Sequence, residues 1–83
     1  MQKIAAISAI LEKPELAQQE FNAIVSSFKG IVRGRLGIPF EAENIAIISL
    51  VVVGDLNDIN SLTGKIGNLP HVYVKTAISK KEI

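Results

Sequence analysis

Nine consecutive residues, Ile45 to Val53 (IAIISLVVV), carry a single polar side chain, Ser49. In an extended chain successive side chains point to opposite faces. Ile45, Ile47, Ser49, Val51 and Val53 therefore oppose Ala46, Ile48, Leu50 and Val52. Both sets are apolar, so this strand needs cover on both faces and belongs inside a sheet. The β-branched content supports a strand, and the run is far too short to cross a bilayer. Lys3 to Leu11 (KIAAISAIL) repeats the pattern, with Ala5, Ile7, Ala9 and Leu11 opposing Ile4, Ala6 and Ile10. Two such strands in a chain of 83 residues constrain everything else in it.

Between them the period changes. From Pro14 to Lys29, Ala17, Phe21, Ile24 and Phe28 recur at four, three and four, widened by Val25, which predicts an amphipathic helix. Pro14 suits its first turn, and Glu15 the positive end of its dipole. Gly30 is expected in the left-handed position that closes a helix. Ile31 to Ile38 reads as a strand interrupted by Gly34 and Gly37, with Arg33 and Arg35 on one face, the profile of a charge-protected edge. Pro39 is expected to end it, with Phe40 to Asn44 as the connection.

After Gly54, one of Asp55, Asn57 or Asp58 is expected to cap a second helix, whose stripe is Ile59, Leu62, Ile66 and Leu69. Gly64 and Gly67 each weaken it by roughly 1 kcal/mol relative to alanine, which suggests close packing or an early end. Pro70 stops it. His71 to Ser79 alternates as a last strand, Val72, Val74, Thr76 and Ile78 against His71, Tyr73, Lys75, Ala77 and Ser79. The tail SKKEI is expected to be loose.

The order β-α-β-β-α-β predicts an α+β fold: a ferredoxin-like sandwich with a four-stranded antiparallel sheet and both helices on one face. The first and third strands are central, and residues 1–83 form one domain. Helices on one face leave the other bare, and an apolar face of several hundred square ångströms is rarely tolerated by a monomer. A second copy is the simplest cover. Ala5, Ile7, Ala9, Tyr73 and Lys75 are expected at that subunit interface.

The chain offers little for catalysis. It has no cysteine and one histidine, His71, so it lacks the usual metal-ligand sets. No carboxylate pair has acid–base spacing, and Glu41 and Glu43 fall in a connection. Gly64-Lys65-Ile66-Gly67 lies late in a helix with no strand before it and no Ser or Thr after the lysine, so it is not a phosphate loop. Arg33, Arg35, Lys65 and Lys75 could gather an anion at a subunit junction, although solvated edge charges are the simpler reading. A net charge of +1 argues against direct nucleic-acid binding. No secretory leader and no membrane-spanning run is expected, which makes the cytoplasm the default location. No catalytic residue, metal site or cofactor is expected.

Arg35-Leu36-Gly37-Ile38-Pro39, Glu43-Asn44-Ile45-Ala46-Ile47-Ile48, Leu62-Thr63-Gly64-Lys65-Ile66-Gly67 and Val72-Tyr73-Val74-Lys75-Thr76 resemble the small stand-alone ACT-like proteins assigned as regulators of the iron-only hydrogenase system. The resemblance runs from the first strand to Thr76. It implies an ACT-like fold, dimers or tetramers, and regulation without catalysis. Amino-acid-binding ACT domains often carry an Asp-x-Pro-Gly type turn after the first strand. Here Glu12-Lys13-Pro14-Glu15 keeps the proline and lacks the glycine, so that binding mode is not carried over. The nickel-responsive repressor with this architecture binds metal through several histidines and a cysteine, which this chain lacks. The expected function is a non-catalytic, ligand-sensing homo-oligomer with a small effector at the subunit interface. The alternative is an interaction module without a small-molecule ligand.

Overall fold

The computed structural model describes residues 1–83. β1 (Lys3–Glu12) leads into α1 (Pro14–Ser27), then β2 (Val32–Phe40), a single 3₁₀ turn (Glu41–Glu43), β3 (Ile45–Gly54), α2 (Leu56–Gly67) and β4 (Val72–Glu82). The sheet order is β2-β3-β1-β4, with every neighbouring pair antiparallel. The β-α-β-β-α-β sandwich, its two central strands and the edge position of β2 are therefore as expected.

The register aligns Ala5, Ile7, Ala9 and Leu11 with Val52, Leu50, Ile48 and Ala46. All eight are buried, together with Ala17, Phe21 and Val25 of α1 and Ile59, Leu62 and Ile66 of α2. Both helices thus lie on one face of the sheet. No polar side chain is buried with this cluster. Burying each large aliphatic or aromatic member stabilises the fold by about 1.5–3 kcal/mol.

This packing corrects the expected interface. Ala5, Ile7 and Ala9 are at most 2% exposed, enclosed by the helices of their own chain, and no second copy can reach them. Tyr73 and Lys75 pair across from Ile10 and Ser8 and lie on the opposite face. The five residues straddle the sheet because a shift of one residue exchanges the faces of a strand that is apolar on both.

Other local expectations also change. No glycine has a positive φ, so Gly30 is not a left-handed cap. α1 instead closes by tightened bonds, Phe28 N to Val25 O (3.0 Å) and Ile31 N to Phe28 O (3.0 Å). Pro39 does not end β2; as an edge residue it needs no ladder donor on its outer side, and pairing continues to Phe40↔Ile45. The side chain of Asp55 makes no cap bond, and its carboxylate stands 3.7 Å from the terminal amine. Gly64 faces open space, so close packing does not explain it, and Gly67 is the last residue of α2.

The tail is not loose. β4 continues to Glu82, which pairs with Lys3, and Ile83 N donates to Gln2 O at 2.8 Å. A bulge after Lys3 accommodates the extension, where Ile4 N donates to Ser79 Oγ at 3.1 Å and Lys3 Nζ to Ser79 O at 3.2 Å. Pairing with a central strand satisfies backbone groups that the polar composition alone suggested were solvated.

Gly54 is required by space, since a Cβ there would stand 2.9 Å from Ile31 Cγ2 and 3.3 Å from Ile31 Cβ. Gly54→Ala should destabilise the chain by about 1–3 kcal/mol in urea unfolding. Combined with Ile31→Ala, it should cost less than the sum of the two single changes. Strict additivity would show that the two residues do not compete for this space.

Candidate functional site

The uncovered face of the sheet is built from the other alternating sets. Its registers place Ile38, Ile47, Ile10 and Tyr73 in one row across all four strands. The adjacent row is Leu36, Ser49, Ser8 and Lys75, and the next is Gly34, Val51, Ala6 and Ala77. Phe40 and Ile4 extend the surface toward opposite ends. Twelve large hydrophobic residues are exposed in the whole chain, and eight of them are on this face: Ile4, Ile10, Leu36, Ile38, Phe40, Ile47, Val51 and Tyr73. At its centre the hydroxyls of Ser8 and Ser49 lie 3.5 Å apart.

The size of this face is informative. Four strands at about 4.8 Å spacing and about ten residues at 3.3 Å give a footprint of roughly 600 Å². Side-chain relief raises the accessible area toward the ~800 Å² per partner of a standard specific interface. Scattered surface apolar residues need no explanation, but eight large ones gathered on one face do.

A second feature lies at the end of the sheet where β1 leaves and β3 and β4 enter. Lys13, Asn44 and His71 have φ of 57°, 56° and 66°, the left-handed region that non-glycine residues seldom occupy. The backbone ties their turns together: Lys13 N donates to Asn44 O (3.1 Å) and Glu12 N to His71 O (2.8 Å). Asn44 Nδ2 also donates to Glu15 Oε1 at 3.2 Å, anchoring the first turn of α1. Two shallow depressions flank that turn. One, about 170 Å³, is lined by Leu16, Ala17, Glu20, Leu69, Pro70 and His71. The other, about 230 Å³, lies between α1 and β2 and includes Pro14, Gln18, Arg35, Gly37 and Pro39.

The four cations read as a conceivable anion cluster do not converge. Arg35 lies on the helix side, its Nη2 donating to Asn22 Oδ1 at 2.6 Å and its guanidinium 5.9 Å from the Phe21 ring centre. Lys65 sits on α2 with Nζ 5.4 Å from the Phe28 ring centre. Lys75 projects from the opposite, uncovered face, and Arg33 lies within the bulge of β2. No three His, Asp or Glu side chains gather where they could share a metal ion. No helix is long and apolar enough to cross a membrane.

Comparison with known proteins agrees with this architecture. Residues 3–76 match the family model described as "TM1266-like: Iron-only hydrogenase system regulator, putative". The chain belongs to this family. Among solved structures, the uncharacterized protein TM1266 from Thermotoga maritima is similar at 32% identity with a TM-score of 0.92, over 96% of this chain and 100% of that one. The ACT domain of GTP pyrophosphokinase from Chlorobium tepidum aligns with a TM-score of 0.77 at 16% identity, over 93% and 100% of the two chains. The C-terminal domain of MgtC from Mycobacterium tuberculosis aligns at 0.68 and 16%, over 98% and 92%. The last two likenesses show the fold alone. No curated protein matches. Family membership therefore carries a regulatory description and an ACT-like fold.

Two signals in the sequence point to the uncovered face. Apart from the leading Lys3, Ser8 and Ser49 are the only polar residues in the two apolar runs, and they face each other across β1 and β3. The strand set that contains the hydroxyl is the set turned away from the helices. The left-handed positions had weaker signals: asparagine and histidine are enriched in this conformation, but lysine does not announce it.

The geometry of Lys13 yields a direct expectation. Lys13→Val should lower stability by about 1–2 kcal/mol, because a β-branched residue is poorly accommodated at φ 57°. Lys13→Gly should not lower it. Equal urea midpoints for Lys13→Val and the unaltered chain would show that this turn is unstrained.

Proposed function

We propose that this chain is a non-catalytic regulatory module of the cytoplasm that works as a homo-oligomer, and that it reports a small effector bound at the junction between subunits. The observation that carries the reading is the uncovered sheet face, with eight large apolar side chains set around a pair of serines. A second copy of the same face is chemically complementary to it, because a two-fold axis places apolar rows on apolar rows. Dimers satisfy this geometry, and tetramers follow if an edge strand also pairs. Family membership supports a regulatory role linked to the iron-only hydrogenase system.

Regulation requires only that the effector bind one association state more tightly than another; the equilibrium then shifts by that difference. Ser8 and Ser49, whose hydroxyls lie 3.5 Å apart at the centre of the uncovered face, offer an effector polar contacts at such a junction. The competing reading is an interaction module with no small ligand. It draws support from the modest depressions, both smaller than the roughly 300 Å³ at which ordinary ligand pockets begin.

Ile47→Lys separates these ideas. Ile47 is 36% exposed in the protomer, so the substitution should spare the fold while placing four charges-worth of repulsion in a four-subunit assembly, or two in a dimer, at the centre of the apolar row. The variant should run as a single folded protomer in gel filtration. Thermal melts of the unaltered chain with amino acids, nucleotides and metal ions should reveal an effector whose stabilisation is lost or reduced in the variant. A monomeric variant with no effector found, together with a stoichiometric protein partner from the native extract, would favour the interaction module. Unchanged assembly in Ile47→Lys would overturn the proposed interface.

A further inference from the structure

We propose that the depression between α1 and β2 binds a small carboxylic acid with a short apolar tail, its carboxylate held by Arg35. The site lies within one protomer, on the helix side of the sheet, and does not depend on the assembly proposed above.

Arg35 is held in place. It pairs in register with Leu50, which sets it on the helix side of β2, and Asn22 accepts one of its N–H groups at 2.6 Å. Its guanidinium also lies 5.9 Å from the centre of the Phe21 ring, a ring that is fully buried. A guanidinium has five donors, and Asn22 takes one, leaving a fork that suits the two oxygens of a carboxylate. No acidic side chain occupies it: the chain's one ion pair joins the terminal amine to Asp55.

The space beside Arg35 is open because of Gly37, two residues along the same side of β2. A Cβ there would meet only Ile48 Cγ1, at 3.9 Å. Ala46 and Ile48 form a buried floor, and Pro14 and Pro39 border it. Gln18, one turn before Asn22 on α1, brings a second polar group to the rim. A charged, oriented donor at one side and an apolar floor at the other match a molecule with the same two parts. The volume of about 230 Å³ excludes nucleotides and favours a short chain. Phosphate fits poorly: one guanidinium supplies little charge for it, and Lys65 and Lys75 lie elsewhere.

The test is calorimetric titration of the full chain with butyrate, isovalerate and hexanoate, alongside isovaleramide and inorganic phosphate, with amide chemical-shift mapping. At least one acid should bind and shift the amides of Gln18 and Gly37, at an affinity at least about tenfold above the amide and phosphate. Arg35→Gln should weaken that binding by at least about tenfold. Gly37→Val should abolish it by filling the floor, in a position where a Cβ makes only ordinary contact. Retained amide dispersion identifies a folded variant, and Gly37→Val tests the site independently if Arg35→Gln unfolds. No binding by any of the acids, equal binding of the amide or phosphate, or undiminished binding by a folded variant would overturn the proposal. Neither residue is part of the row centred on Ile47, so both variants should keep the mass of the unaltered chain. Loss of acid binding with that mass intact leaves the homo-oligomer reading standing.

Discussion

Side chains alternate along β1 and β3, and in both strands each alternating set is largely apolar, while α1 and α2 can shield only one of the two faces. Removing apolar surface from water is the main favourable term in folding, and it is not directional. The helices satisfy it for Ala5, Ile7, Ala9 and Leu11 and for the opposing set on β3, and the resulting cluster contains no buried polar side chain. The other face has the same chemistry and receives no cover from its own chain. The two faces thus differ in cover: one makes the core of the domain, and the other leaves large apolar side chains exposed.

The rest of the molecule is consistent with that division of labour. β2, at one edge, carries Arg33 at a bulge and Pro39 near its end, which discourage indiscriminate edge pairing. β4, at the other edge, carries lysines and runs to Glu82 along β1. The strained turns at Lys13, Asn44 and His71 collect at one end of the sheet, next to both depressions. Most of the charged chemistry named above is thus kept at the edges and at one end. Ser8, Ser49 and Lys75 are the polar members of the broad apolar face, and the two hydroxyls are close enough to serve each other.

The fold was legible because its signals were redundant. The helices announce themselves by three-and-four spacing from Ala17 to Phe28 and from Ile59 to Leu69, and the strand order follows from the chain order of the elements. The uncovered face was only half legible. Periodicity reveals that β1 has two apolar faces, but it cannot say which one the helices take when alanine and isoleucine appear on both. Ala5, Ile7 and Ala9 were expected at a subunit interface for that reason and lie in the core, and the hydroxyls of Ser8 and Ser49 were the available discriminator. The end of β4 was illegible for a different reason: Lys80, Lys81 and Glu82 have the composition of a free tail, and only pairing with β1 orders them. The separation of Arg35, Lys65 and Lys75 depended on strand parity and helix placement together, beyond what residue spacing could specify.

The central claim is that the uncovered face is closed by a second copy of itself. Sedimentation equilibrium of the unaltered chain, followed through a dilution series across the micromolar range, measures this most directly. A mass of two or four protomers of 8.9 kDa is expected, falling only on strong dilution. A stable, soluble species of 8.9 kDa at every concentration would contradict it, since the apolar rows around Ile47 would then face water without consequence.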